Sequence, residues 1–420
     1  MKKVLIISHD FYNQDRISTV RVRGLVRFLP SFDLDTVVLC ADLGKNIVQP
    51  GVESVSYVDR LTTLKKIIGQ PKDEYYFDAP TEHCEPGYLE LSMRFISDLL
   101  LFPESEHPWV KSALPVARKI MKKENIDGII SSSFPGASHV IAHILKKEFD
   151  IKWIADYRDL WSGNPYFNHN GLIEGMLKSY EKRIIGNADW ITSVSPYISE
   201  DLYKLHKIQS FTITNGFNPL EYRIERFIPQ NKFTITHTGN LYFGKRDPEP
   251  FLLAIKGLIA SGKIPENALS IRFIGCSEKW LFEMIDSIGI GNITHVQGKV
   301  SREESLRIQA ESNVLLLLSR NHPSEIGIYT GKIFDYLAKG LPLLSFGYNE
   351  GVLKELFIKT RCGYHTSTVD ELSKAIFDLY NRYRENPHYQ WDRDEDEVMK
   401  YSQKKMAQKF ATILQKGTID

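Results

Sequence analysis

Thr330-Gly-Lys-Ile-Phe-Asp-Tyr-Leu-Ala-Lys-Gly-Leu-Pro342 opens with a Gly-Lys pair and carries an acid one turn into an amphipathic helix. It leaves through Gly-x-Pro toward an apolar strand. The segment before it, Pro323-Ser-Glu-Ile-Gly-Ile-Tyr329, is polar and contains a glycine. A helix entered this way presents unpaired N–H groups and the positive end of its dipole, where a phosphate can rest. Lys332 adds a full charge, and Asp335 can accept hydrogen bonds from sugar hydroxyls. The stretch reads as a loop–helix–strand unit of an α/β domain with a candidate nucleotide site at the helix start.

The same alternation continues on both sides. Short apolar runs at Phe233–Thr238, Ser270–Ile274, Ile293–Gln297, Val314–Leu318 and Pro342–Ser345 predict strands. Helical patterns fill the gaps at Pro248–Ser261, Glu278–Ile288, Arg302–Ala310 and Gly331–Lys339. An earlier series predicts strands at Val4–Ser8, Thr36–Leu39, Gly128–Ser131, Trp153–Asp156, Trp190–Val194 and Phe211–Thr214. Its helices are expected at Ser18–Leu29, Pro108–Glu124, Ala137–Glu148 and Ile173–Ala188. Strands alternating with helices argue parallel sheets built from βαβ units. Two such series predict two Rossmann-like domains, 1–215 and 216–398, with an insertion at about 41–105 and a final helix over Met399–Gln415.

Bulk properties agree. A chain of 420 residues is too long for one ordinary core and fits two domains of about 200 residues. A net charge of +1 gives no bulk attraction to nucleic acid. The cysteines Cys40, Cys84, Cys276 and Cys362 form no Cys-x-x-Cys pair, so a reducing compartment is expected and no zinc site. The apolar run after Met1 breaks at Ser8, too short for a signal-peptide core, and no run reaches the roughly 18 residues of a membrane span. The expected location is cytoplasmic. Asp-x-Asp spacing occurs at Asp33-Leu-Asp35 and Asp392-Arg-Asp394, read as a strand edge and a helix start, and no metal is expected there.

Four clusters fall at the C-terminal ends of expected strands, where open α/β sheets bind ligands. Ser131-Ser-Ser-Phe-Pro-Gly-Ala-Ser-His139 places His139 in a first helical turn. Asp156-Tyr-Arg-Asp-Leu-Trp161 supplies Arg158 and Asp159. Thr236-His-Thr-Gly-Asn240 opens the second series, with Gly239 and Asn240 in its turn and Lys245 and Arg246 behind it. The segment from Glu325 to Asp335 is the fourth. A Walker loop, a Gly-x-Gly-x-x-Gly turn after the first strand and a Ser-His-Asp order are all missing from the sequence.

In this order, the clusters resemble the retaining GT-B glycosyltransferases of glycosyltransferase family 4. Phe102-Pro-Glu-Ser-Glu-His-Pro-Trp109, the Ser131–His139 phrase and Ala155-Asp-Tyr-Arg-Asp-Leu-Trp161 look like that family's acceptor-side domain. Thr192-Ser-Val-Ser195 and Thr214-Asn-Gly-Phe217 resemble its interdomain segment. Thr238-Gly-Asn-Leu-Tyr242, Phe273-Ile-Gly275 and Gly331–Pro342 resemble its nucleotide-sugar domain.

The resemblance implies an α/β GT-B fold, two Rossmann-like domains facing a central cleft, with a C-terminal helix (399–420) crossing back to the first. It implies a glycosyltransferase acting on a nucleotide-sugar donor and a glycan or lipid-linked acceptor, with retention, without a cofactor or metal, in surface polysaccharide or glycoconjugate synthesis. Thr330, Gly331, Lys332, Lys245 and Arg246 would hold the donor diphosphate, lined by Gly239 and Asn240, and Asp335 the ribose. His139 would contact the transferred sugar from the cleft face. Gly327 stands where the family carries the first of two glutamates, and Glu325 is the nearest acid. Two other expectations stay open: a GT-B nucleotide-sugar epimerase, which would use the same fold and donor site, and a silent nucleotide-sugar-binding protein, suggested by Gly327 and Asp335. Leu61-Thr-Thr-Leu-Lys-Lys-Ile-Ile68 sets apolar residues beside a Lys pair, so peripheral contact with the inner face of a membrane is a further expectation.

Overall fold

The computed structural model describes residues 2–12, 17–44, 49–68, 88–164, 169–221, 231–242 and 244–419. Cys84 and the Tyr75–Pro80 segment lie outside the described residues, as do the side chains of Lys65 and Lys66. The chain forms two units. One comprises the chain up to Ile213 together with Ala407 onward, and the other runs from Thr214 to Met406.

In the first unit the strands are β1 (Lys2–Ser8), β2 (Leu34–Ala41), β3 (Val52–Val55), β4 (Gly128–Ser133), β5 (Lys152–Tyr157), β6 (Trp190–Ser193) and β7 (Ser210–Thr212). Between them lie α1 (Ile17–Phe28), α2 (Arg60–Ile68), α3 (Tyr88–Leu101), α4 (Pro108–Lys123), α5 (Ala137–Phe149), α6 (Gly171–Ile185) and α7 (Pro196–His206). The parallel sheet runs β3-β2-β1-β4-β5-β6-β7. Val4, Leu5, Ile6 and Ile7 form the centre of that sheet, paired with β2 on one side and β4 on the other. All four are buried, so the strand reads as one apolar run instead of an alternation.

β3 is an edge strand that the apolar reading misses, since Val52-Glu-Ser-Val55 is short and largely exposed. It lies within the stretch read as an insertion.

The second unit contains β8 (Phe233–Thr238), β9 (Leu269–Ile274), β10 (Thr294–Gln297), β11 (Val314–Leu318), β12 (Leu343–Phe346) and β13 (Gly363–Thr366). Its helices are α8 (Glu249–Ala260), α9 (Lys279–Ile288), α10 (Arg302–Ala310), α11 (Lys332–Lys339), α12 (Val352–Thr360), α13 (Val369–Glu385) and α14 (Glu395–Met399), and α15 (Gln403–Lys416) begins there. The sheet order is β10-β9-β8-β11-β12-β13. Strand order reverses between β8 and β11, the switch point at which such sheets hold ligands. The switch is visible in the ladder. Pairing of β8 with β11 extends through Thr236 and Leu315, and beyond it side chains occupy the strand edges.

The last helix differs from its expected span. Met399 closes α14, and the chain turns before α15 starts at Gln403. The backbone there is engaged elsewhere: Phe217 N–H donates to Tyr401 O at 3.0 Å, and Gln403 N–H donates to Phe217 O at 2.8 Å. From Ala407 onward the helix belongs to the first unit. Phe410 is buried under the Arg21 guanidinium at 5.3 Å, and Gln415 donates to Phe32 O at 3.1 Å. The C-terminal helix thus returns to the first sheet domain, as the resemblance implied.

Candidate functional site

In the second unit the chemistry gathers around the start of α11. Gly331 is its N-cap residue and makes no side-chain cap bond; Ile333 N–H turns back to Thr330 O at 3.1 Å, and the other first-turn N–H groups are left to a ligand or solvent. Thr330, directly before it, is buried, and its Oγ1 has no partner among the described residues. Lys332 folds back across the sheet end. Its Nζ lies 3.0 Å from His237 Nε2 and 3.2 Å from Asn240 O. Burial, with Arg246 nearby, pulls the Lys332 ammonium well below the ordinary lysine range.

His237 is the last but one residue of β8 and is fully buried. Its Nδ1 lies 3.0 Å from Leu316 O on β11. A carbonyl only accepts, so Nδ1 carries the ring proton and Nε2 offers a lone pair to Lys332. Burial and the adjacent Lys332 hold the imidazole well below its usual pKa, hence neutral. Tyr336, also on α11, accepts from Thr238 N–H at 2.9 Å through its hydroxyl, which in turn donates to Leu316 O at 3.4 Å. Two side chains therefore cap the same β11 carbonyl where the ladder has opened.

Gly239 and Gly275 end β8 and β9 in left-handed conformation, φ 88° and 93°. Gly239 N–H donates to Ile274 O at 2.6 Å. Behind this turn Arg246 stacks on Tyr242 at 4.7 Å and donates to Asn240 O at 3.2 Å. Lys245 closes the turn through its N–H on Tyr242 O at 2.8 Å. Glu325 ends a short 3-10 turn and is half-buried. Burial raises its pKa against the opposing pull of Arg246, Arg320 and Lys245.

Asp335 is held by Arg302, whose two terminal nitrogens donate to its two oxygens at 2.9 and 2.8 Å. A carboxylate has about four lone-pair positions, so a ribose hydroxyl could still donate to it. Arg302 and His237 are the partners that residue reading left unassigned. His237 stood in a quoted phrase, but its partners come from other strands and helices.

The first-unit candidates sit differently. His139 lies in the first turn of α5 as expected, but its side chain is 0% exposed, so it points into the core of its own unit instead of outward. Ser131 Oγ is 2.7 Å from His139 Nδ1 and also accepts from Trp153 Nε1 at 2.7 Å. The ring lies 4.9 Å from that of Tyr157, and burial lowers its pKa to about 3. Its Nε2 has no partner among the described residues. Arg158 donates to Ser133 O at 2.5 Å and to Phe134 O at 2.7 Å, fixing the loop that leads to α5, while Asp159 is exposed. Glu104, from the quoted Phe102–Trp109 phrase, is buried and accepts from Gly136 N–H at 2.7 Å and Ala137 N–H at 2.5 Å at the start of α5. Burial and Glu106 push its carboxyl up to about 8.

Residues 79–219 match the sequence family described as Glycosyltransferase Family 4. No curated protein matches the chain in sequence. Solved structures match it over nearly its full length at low identity. Sucrose-phosphate synthase from Thermosynechococcus elongatus is 15% identical, with a TM-score of 0.59 over 99% of this chain and 98% of that one. HepE from Anabaena, solved with UDP and glucose, is 14% identical, with a TM-score of 0.61 over 99% and 100% of the two chains. A putative UDP-N-acetylglucosamine 2-epimerase from Listeria monocytogenes is 12% identical, with a TM-score of 0.55 over 99% and 97%. Similarity at this level of identity carries the fold, here GT-B, and leaves the chemistry to be argued from the site. The chain thus has a GT-B fold, and its residues 79–219 are similar to the Glycosyltransferase Family 4 domain.

Proposed function

We propose that the second unit binds the diphosphate of a nucleotide sugar at the start of α11, and that the enzyme transfers the sugar to a hydroxyl with retention. The observation that carries this reading is the junction of an uncapped helix start, a half-buried Lys332 and the unpartnered Thr330 Oγ1. A cation, a hydroxyl donor and free N–H groups converging on one place make an anion site. On this reading the bond between the sugar anomeric carbon and the diphosphate oxygen breaks. The acceptor oxygen bonds to that carbon and its proton passes to the departing phosphate. Lys332, Arg246 and the helix dipole stabilise the charge that develops. Lys and Arg supply the countercharge, so no metal is assigned. Gly239 and Asn240 line the diphosphate, Lys245 adds charge, Asp335 receives the ribose and Glu325 the transferred sugar. His139 serves turnover and not donor affinity, with Arg158 and Asp159 on the acceptor side.

HepE was solved with UDP, so UDP-sugars are the first donors to test. Release of UDP with a new glycosidic bond supports the transferase. A C2 epimer identifies an epimerase, and binding without turnover on a broad acceptor panel identifies a silent binder. Full activity in EDTA is expected; loss restored by manganese or magnesium would refute the metal-free assignment.

The acceptor is proposed to be a growing surface glycan or a lipid-linked precursor at the cytoplasmic face of a membrane. Among the described residues no helix is long and apolar enough to cross one. Exposed Leu61 on α2, Ile96, Leu99 and Leu100 on α3, and Leu172 on α6 support peripheral contact. Flotation with anionic liposomes tests it: protein left in the soluble fraction at low salt removes the membrane from the proposal.

A further inference from the structure

The β8–β11 switch point contains a buried imidazole that the donor-site reading does not use. Two of the contacts that His237 makes differ in kind. Nδ1–H donates to Leu316 O at 3.0 Å, tying β8 to β11 where their ladder has ended. Nε2, thereby fixed as a lone pair, faces Lys332 Nζ at 3.0 Å. A lysine side chain is flexible and loses rotamer freedom when held in one place. Lys332 is held by His237 on one side and Asn240 O on the other, which leaves its third N–H without a partner among the described residues. The packing agrees: a Cβ on Gly239 would meet Lys332 Cε at 2.6 Å, so the stem runs directly across that glycine.

We propose that His237 is a positioning residue for the donor diphosphate: its Nε2 holds the Lys332 ammonium in place so that the remaining N–H points to phosphate. The inference rests on the donor-site reading above. It deepens that reading by assigning the cation's orientation to a neutral histidine and not to an acid. A carboxylate in that position would neutralise the lysine. A neutral acceptor fixes the charge without cancelling it.

Two substitutions separate the two ring contacts. His237→Asn keeps a donor near Leu316 O but is too short to accept from Lys332. His237→Gln reaches Lys332 but gives up the Nδ1 position. UDP binding by calorimetry should weaken about tenfold in His237→Asn, the loss of one charge-assisted contact's geometry, and stay near wild type in His237→Gln. In a Lys332→Ala background His237→Asn should cost nothing further, because the group it acts through is gone. A second measurement does not depend on a His237 variant folding. Imidazole nitrogen shifts in the wild type should show Nε2 as an unprotonated acceptor, perturbed on Lys332→Ala. Weakening in His237→Gln with none in His237→Asn, additive losses in the double variant, or a protonated Nε2 each overturn the proposal. Unchanged UDP affinity in Lys332→Ala alone would instead remove the donor site itself.

Discussion

Gly275 approaches Gly239 so closely that a Cβ on it would lie 2.9 Å from the Gly239 Cα and 3.0 Å from its N. The two turns that end β8 and β9 thus touch through backbone alone, and the Gly239 turn keeps its place under Lys332. Gly275→Ala meets both a clash and a φ of 93°, and should cost about 1–3 kcal/mol of stability. UDP affinity should fall with it. Gly262→Ala is the control, with φ 68° and nothing within 4 Å of the added carbon. Thermal melts and calorimetry of both variants check the prediction; equal, small effects would show that the contact does not matter.

Lys332→Ala and Arg246→Ala should each weaken nucleoside diphosphate binding by roughly ten- to hundredfold, the value of about 1.5–3 kcal/mol for one charge-assisted contact. Calorimetry with UDP and GDP measures it. Unchanged affinity in both variants removes the proposed site.

Donor affinity should fall as pH rises, earlier than an ordinary lysine would require. The phosphate binds the ammonium form, and burial with Arg246 lowers the Lys332 pKa in the free protein. The sign follows from linkage: deprotonation of free Lys332 competes with binding, so affinity is full below that depressed pKa and declines above it. Binding on the alkaline side should take up a proton, visible as a buffer-dependent enthalpy. In Lys332→Ala the alkaline decline should vanish.

On the proposed reading His139 acts through the Nε2 that has no partner among the described residues, and His139→Gln should lower turnover by roughly tenfold, about 1.4 kcal/mol, with UDP affinity unchanged. Full truncation to Ala would also open a cavity beside Tyr157 and Trp153, so Gln is the cleaner probe. A variant with wild-type turnover makes His139 a core residue only.

Arg21 and Asp156 form an ion pair with both side chains 0% exposed, at 3.0 and 2.7 Å, completed by Ser132 and Thr192 hydroxyls. Arg21→Met leaves a buried carboxylate without its cation and should destabilise the first unit by about 3–5 kcal/mol. Chemical denaturation measures this. A loss below about 1 kcal/mol would show that the pair is replaceable by packing.

The alternating runs were enough to predict two parallel α/β sheets, because a strand buried on both faces is one apolar block and each helix carries its own stripe. Phe233–Thr238, Val314–Leu318 and Arg302–Ala310 match the observed elements residue for residue. Lys332, Gly239 and Thr330 were legible as a candidate phosphate site because glycine turns and a Gly-Lys helix start have local chemistry. The edge strands β3 and β13 were not, since half-exposed Val52-Glu-Ser-Val55 and Gly363-Tyr-His-Thr366 carry no apolar run. Nor was the end of α14, decided by Phe217 taking the backbone groups of Tyr401 and Gln403. His237 and Lys332 are far apart in the chain, as are Asp335 and Arg302, and no periodicity relates them. Arg302 and Asp335 meet because α10 packs beside α11, and His237 meets Lys332 only once strand order reverses between β8 and β11, because that reversal opens the ladder and places a β8 side chain against the helix that follows β11.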